Sequence, residues 1–76
     1  MALHETPLEM AERHVLAGRR VVEFQKQLIA HQHLAGIDTS LAKDMLCTFE
    51  KTLAYFETHL AEIITESEPE PLAHLV

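Results

Sequence analysis

Two stretches in which apolar residues recur at alternating spacings of three and four, parted only by a short segment around Gly36 and Asp38, constrain this chain most. That spacing places side chains along one face of an α-helix. In the first stretch the line runs Leu8, Ala11, Val15, Gly18, Val22, Gln25, Ile29 and Gln32, flanked by Met10, Ala17, Val21, Phe24 and Leu28. In the second it runs Ala42, Leu46, Phe49, Leu53, Phe56, Leu60 and Ile63, with Met45, Tyr55 and Ile64 beside it. Two helices joined by so short a connection must lie antiparallel. The sequence therefore predicts an all-α fold built on an antiparallel two-helix hairpin.

The ends of the helices carry their own signals. Thr6-Pro7-Leu8-Glu9 is a capping box, with Thr6 at the N-cap, proline where its missing N–H costs nothing, and Glu9 reaching back to the cap. Gly36 supplies the positive φ that ends a helix, and Asp38 is suited to N-cap the next one. Glu66-Ser67-Glu68-Pro69-Glu70-Pro71 halts the second helix, since prolines and like charges cannot extend it. The expected organisation is an N-terminal arm over 1–5, a hairpin over 6–66 (helix 6–35, turn 36–38, helix 39–66) and an acidic, proline-containing tail over 67–76.

One hairpin of this kind is not self-sufficient. With 76 residues and a single cysteine, Cys47, the chain has no internal disulfide to compensate for a small core, and no CxxC or Cys/His finger spacing offers a structural zinc site. The apolar arc of the first helix is also wide. It runs from the Met10/Ala17/Phe24 line through Val21 and Leu28 to Val15, Val22 and Ile29, more than one partner helix covers. Two hairpins forming a four-helix bundle resolve both problems. Val15, Val22, Ile29, Leu46, Phe49, Leu53, Phe56, Leu60 and Ile63 are the residues expected to form the core and dimer interface. The small and polar positions Ala11, Gly18, Gln25 and Gln32 are expected to set helix approach and register.

Charge and composition exclude several function classes. The net charge is −6, and the acids concentrate in the second half. The first helix balances Glu5, Glu9, Glu12 and Glu23 against Arg13, Arg19, Arg20 and Lys26, with Glu9–Arg13 and Arg19–Glu23 placed as i, i+4 pairs. A reader of the nucleic-acid backbone needs unopposed positive charge, so no nucleic-acid partner is expected. No apolar run is long enough to span a bilayer, and a surface-lying helix would ordinarily carry a basic polar face. No membrane association is expected. The first residues lack the basic and apolar regions of a targeting signal, which together with an unpaired thiol points to the cytoplasm.

Six histidines invite a chemical reading. In a hairpin turning near residue 37, His14 and His59 fall at one height, and Glu62 lies one turn on from His59. With symmetry mates they offer nitrogen and oxygen ligands, so a metal-binding bundle using His14, His59 and Glu62 is the alternative function. The paired Glu-x-x-His motifs of di-iron bundles are absent. A histidine hydrogen-bonded across the hairpin is the simpler reading. His31 and His33 are two apart and point about 200° from each other on a helix, so they do not chelate one ion together. Cys47 has no histidine fixed beside it in sequence, and glycine-rich phosphate loops are missing. Neither catalysis nor a cofactor is expected.

Ala11-Glu12-Arg13-His14-Val15, Gly18-Arg19-Arg20-Val21, Gln25, Leu28-Ile29, Gly36 with Asp38-Thr39, Leu41-Ala42, Phe49-Glu50 and Thr52-Leu53 together resemble a set of short, uncharacterised alphaproteobacterial helical-hairpin proteins. The resemblance spans roughly residues 11 to 60 and implies a bacterial hairpin without an assigned activity. Ala30-His31-Gln32-His33 is less acidic here than in that set, so no role for a charged surface at this point carries over. The functional expectation is a non-enzymatic interaction protein that acts as a homodimer, with a regulatory protein as a further partner.

Overall fold

The computed structural model describes residues 4–67, in which two helices lie packed against each other and no strand occurs. Helix α1 spans Pro7–Leu34 and helix α2 spans Ser40–Ser67. Each has 28 residues, a length of about 42 Å at ~1.5 Å per residue. The tail expected over 67–76 lies almost wholly outside the described residues, as does the start of the N-terminal arm.

The start of α1 follows its sequence. The Thr6 hydroxyl accepts from the Glu9 backbone N–H at 3.0 Å, and the Glu9 carboxylate accepts from the Thr6 backbone N–H at 3.0 Å. Two donors that a bare helix end leaves unpaired are thereby satisfied. The other end is closed by Gly36 at φ 73. There the Ile37 N–H donates to the Gln32 carbonyl at 2.8 Å and the Gly36 N–H donates to the His33 carbonyl at 3.1 Å. This crossed pair of bonds is the Schellman arrangement, which requires a left-handed residue where Gly36 stands.

The start of α2 differs by one position from expectation. The Thr39 carbonyl accepts the first helical bond, from the Lys43 N–H at 2.9 Å, so Thr39 occupies the cap position and α2 begins at Ser40. Asp38 stands one residue earlier. Its Oδ1 accepts from both the backbone N–H and the hydroxyl of Ser40, at 2.9 and 2.7 Å. It is an Asx turn leading into the helix rather than the N-cap itself.

The expected core line is the line that the helices turn toward each other. Ala11, Val15, Val22 and Ala42 are the buried apolar residues, and Gln25 is buried with them. Leu8, Ile29, Leu46, Phe49, Leu53, Phe56, Leu60 and Ile63 are half-buried along the same seam. Gly18 marks the close approach, because a Cβ there would stand 3.1 Å from Leu53 Cδ1 and 3.5 Å from Phe56 Cδ2. Nearer the turn the packing is polar. Gln25 Nε2 donates to the Ala42 carbonyl at 2.9 Å, while Gln32 Oε1 is buried with no hydrogen-bond partner among the described residues.

Both expected ion pairs are replaced. Arg13 pairs with Glu5 at 2.9 Å instead of Glu9, whose carboxylate is engaged at the cap. Arg19 reaches across the hairpin to Glu57 at 3.4 Å instead of along its own helix to Glu23. Glu5 precedes the helix and swings alongside it. The Arg13 hydrogen bonds hold its carboxyl below the usual carboxylate range.

Candidate functional site

The Arg19–Glu57 pair marks one broad face of the hairpin, and the opposite face has a different character. At about 100° per residue, Glu12, Glu23 and Lys26 share the side of α1 that carries Arg19, and Glu50 shares the side of α2 that carries Glu57. On the other side of the seam lie Met10, Ala17, Val21, Phe24 and Leu28 from α1, spaced seven, four, three and four apart. Opposite them on α2 stand Met45 and Thr52, seven apart, beside the seam residues Phe49 and Phe56. None of these nine side chains is charged.

Between the helices on this apolar face runs an open groove of about 240 Å³, lined by Ala17, Gly18, Val21, Phe49, Thr52 and Phe56. Its depth comes from small residues. Gly18 lines it with no side chain of its own, and Ala17 beside it has only a methyl group. Thr52 does not make the groove polar, since its hydroxyl donates to the Thr48 carbonyl at 3.1 Å along its own helix. Thr48 does the same to Asp44 at 3.3 Å.

The face is left open to a degree unusual for such residues. Phe24 is 67% exposed, and Met10, Val21, Leu28 and Met45 are also exposed. Conversely, no large side chain is fully buried among the described residues. A hydrophobic core normally encloses its largest members, whereas here they are shared between the seam and the surface. A second exposed apolar cluster, Leu34, Ile37 and Leu41, caps the turn.

The histidines are placed by aromatic neighbours rather than by each other. The His14 ring packs on Phe56 with centroids 5.2 Å apart, at the edge of the apolar face. The His59 ring stacks on Tyr55 at 6.5 Å, one turn away on the same helix. Among the described residues of one chain, no three His, Cys, Asp or Glu side chains gather closely enough to hold a metal ion, and that holds for His14, His59 and Glu62. His31 and His33 are both exposed near the end of α1. Cys47 is exposed. It lies two positions before Phe49 and so about 200° round the helix from it.

Of the residues expected at a core and dimer interface, Val15 and Val22 are buried within a single hairpin. Ile29, Leu46, Phe49, Leu53, Phe56, Leu60 and Ile63 are only half covered there. The flanking line of α1 belongs to the apolar arc expected to exceed what one partner helix covers, yet it is missing from the residues expected at the interface. The readable signal was the absence of charge from the Met10-to-Leu28 line, against its abundance on the Glu12-to-Lys26 side. No helix among the described residues is long and apolar enough to cross a membrane. Comparison with protein-family models, with curated proteins and with solved structures found no match to this chain.

Proposed function

We propose that this chain is a non-enzymatic interaction protein of the bacterial cytoplasm that works as a homodimer. Two hairpins meet through their apolar faces and close a four-helix bundle, leaving the charged faces outward for a regulatory protein partner. The observation that carries this reading is the unshared apolar face: Met10, Val21, Phe24, Leu28 and Met45 are all exposed around one uncharged groove. Exposed apolar patches of this extent are interaction sites in stable proteins. A single hairpin also has too little enclosed surface to offset the entropy of ordering its chain.

If folding and association are one event, stability depends on chain concentration. Thermal unfolding followed by far-ultraviolet circular dichroism over a hundredfold range of concentration is the test. The midpoint is expected to rise by several degrees from the dilute to the concentrated end. A midpoint independent of concentration, at full helicity, contradicts the proposal.

A further inference from the structure

Resting on the homodimer reading, we propose a polarity for the pair: the two hairpins stack with their turns at opposite ends, so that the open end of each lies over the turn of the other. Two stackings of the uncharged faces keep a two-fold axis in the interface. An axis along the helices sets both turns at one end and lays α1 over the copy's α2. An axis across the helices sets the turns apart and lays each helix over its own mate. Both cover the same face, so apolar burial alone does not choose between them.

Charge does choose, because it is segregated along the hairpin. His14 packs on Phe56 and Arg19 pairs with Glu57, which brings residues 4–14 and 57–67 together as the open end. This end carries Glu5, Glu9, Glu12, Glu57, Glu62 and Glu66 against Arg13 alone. In the rest of the hairpin Arg19, Arg20, Lys26, Lys43 and Lys51 outnumber Glu23, Asp38, Asp44 and Glu50 by one. Glu68 and Glu70, which follow in the sequence, complete the net charge of −6.

With the turns together, the two open ends stand one interhelical spacing apart, about 10 Å, and Glu9 comes over the copy's Glu62. The acids of both chains then gather within about one Debye length of each other at physiological salt. With the turns apart, an axis near Val21 and Glu50 carries Glu9 to the height of the copy's His33, and the acidic ends are more than ~30 Å from each other. At that separation their repulsion is screened away. Each end lies instead toward a turn at which Lys26 and Lys43 balance Asp38 and Asp44. In the middle of the face, Arg20 and Lys51 come near like charges in either polarity, so the ends decide.

A second copy suits this face on two grounds. The face is about 42 Å long and two helices of ~10 Å wide, a footprint of roughly 800 Å², the share each partner contributes to a standard specific interface. A charge pattern that is acidic at one end and balanced at the other is accommodated by reversing an identical chain against it.

The test uses the full chain with Cys47→Ser removing the native thiol. Val21 lies on the face and close to the axis, so Val21→Cys is expected to form an intermolecular disulfide under mild oxidation. A nitroxide on Ala35→Cys, beside the turn, reads the polarity by double electron–electron resonance. The two labels are expected about 40 Å apart, against less than ~25 Å with the turns together. Ile37→Cys, 55% exposed in the turn, repeats the measurement should Ala35→Cys disturb the helix end, and native helicity checks each variant. A dimer that cross-links through Val21→Cys and gives the short distance overturns this polarity and leaves self-association standing. A dimer without the cross-link overturns the face on which both readings rest, and a wild-type chain that stays monomeric at high concentration overturns both.

Discussion

Gln25 Nε2 donates a hydrogen bond of 2.9 Å to the main-chain carbonyl of Ala42, joining the two helices through a side chain that is only 4% exposed. The carbonyl also serves the α2 ladder, so the glutamine uses its second lone pair. This fixes the height of one helix on the other near the turn, where the apolar contacts are small.

Gln25→Ala removes both the bond and the volume and is expected to destabilise the chain by about 1–3 kcal/mol. Gln25→Leu keeps the volume and leaves the Ala42 carbonyl its helical partner. Its stability is expected to match or exceed that of the native chain, since buried polar groups fix register more than they add stability. Chemical denaturation of the two variants side by side checks this. Equal losses in both would contradict the role assigned to the glutamine.

Gly36 is a second fixed point. Its φ of 73 is a conformation that L-residues adopt at a cost, and a Cβ there would meet no atom within 4 Å. Gly36→Ala is therefore expected to cost about 1 kcal/mol through the backbone alone, lowering the melting midpoint by roughly 4–8 °C. Gly36→Asn is expected to lose less, because asparagine tolerates this region. Thermal melts of both variants are the measurement.

At Asp38 the Ser40 backbone N–H, and then the Ser40 hydroxyl, hold the carboxyl below the usual carboxylate range. A group whose folded pKa is depressed contributes stability that is present above its unfolded value, near 4, and lost as the pH falls through the folded value. Glu5, held down by Arg13, acts in the same direction. The chain is thus expected to lose stability below about pH 4. Asp38→Ala is expected to be less stable at neutral pH and to show a shallower acid decline, which urea denaturation at a series of pH values would reveal.

Much of this fold is legible in the amino-acid order because its determinants are local. The capping box at Thr6 and Glu9 and the left-handed Gly36 each act over a few residues, and the three-four line of α2 repeats without interruption. The ion pairs were not legible in the same way. Glu9 was expected both at the cap and beside Arg13, and local spacing did not say that the cap engagement leaves Arg13 to Glu5. Arg19 and Glu57 lie 38 positions apart, so their pairing depends on which faces the hairpin turns to one side. The groove has the same origin. Gly18, Ala17, Phe49 and Thr52 form a recess only after the register of α1 on α2 is set. His14 and His59 were expected at one height along the hairpin, and spacing alone did not show that their rings pack on Phe56 and Tyr55.

The most direct measurement is the native mass of the full chain in solution, by light scattering on a size-exclusion column at micromolar and higher concentrations. Pairing of two hairpins through the Met10-to-Leu28 face predicts twice the chain mass of 8.6 kDa, falling toward one chain only on dilution or with Phe24→Ala. A folded particle of one chain mass at every concentration would contradict the account.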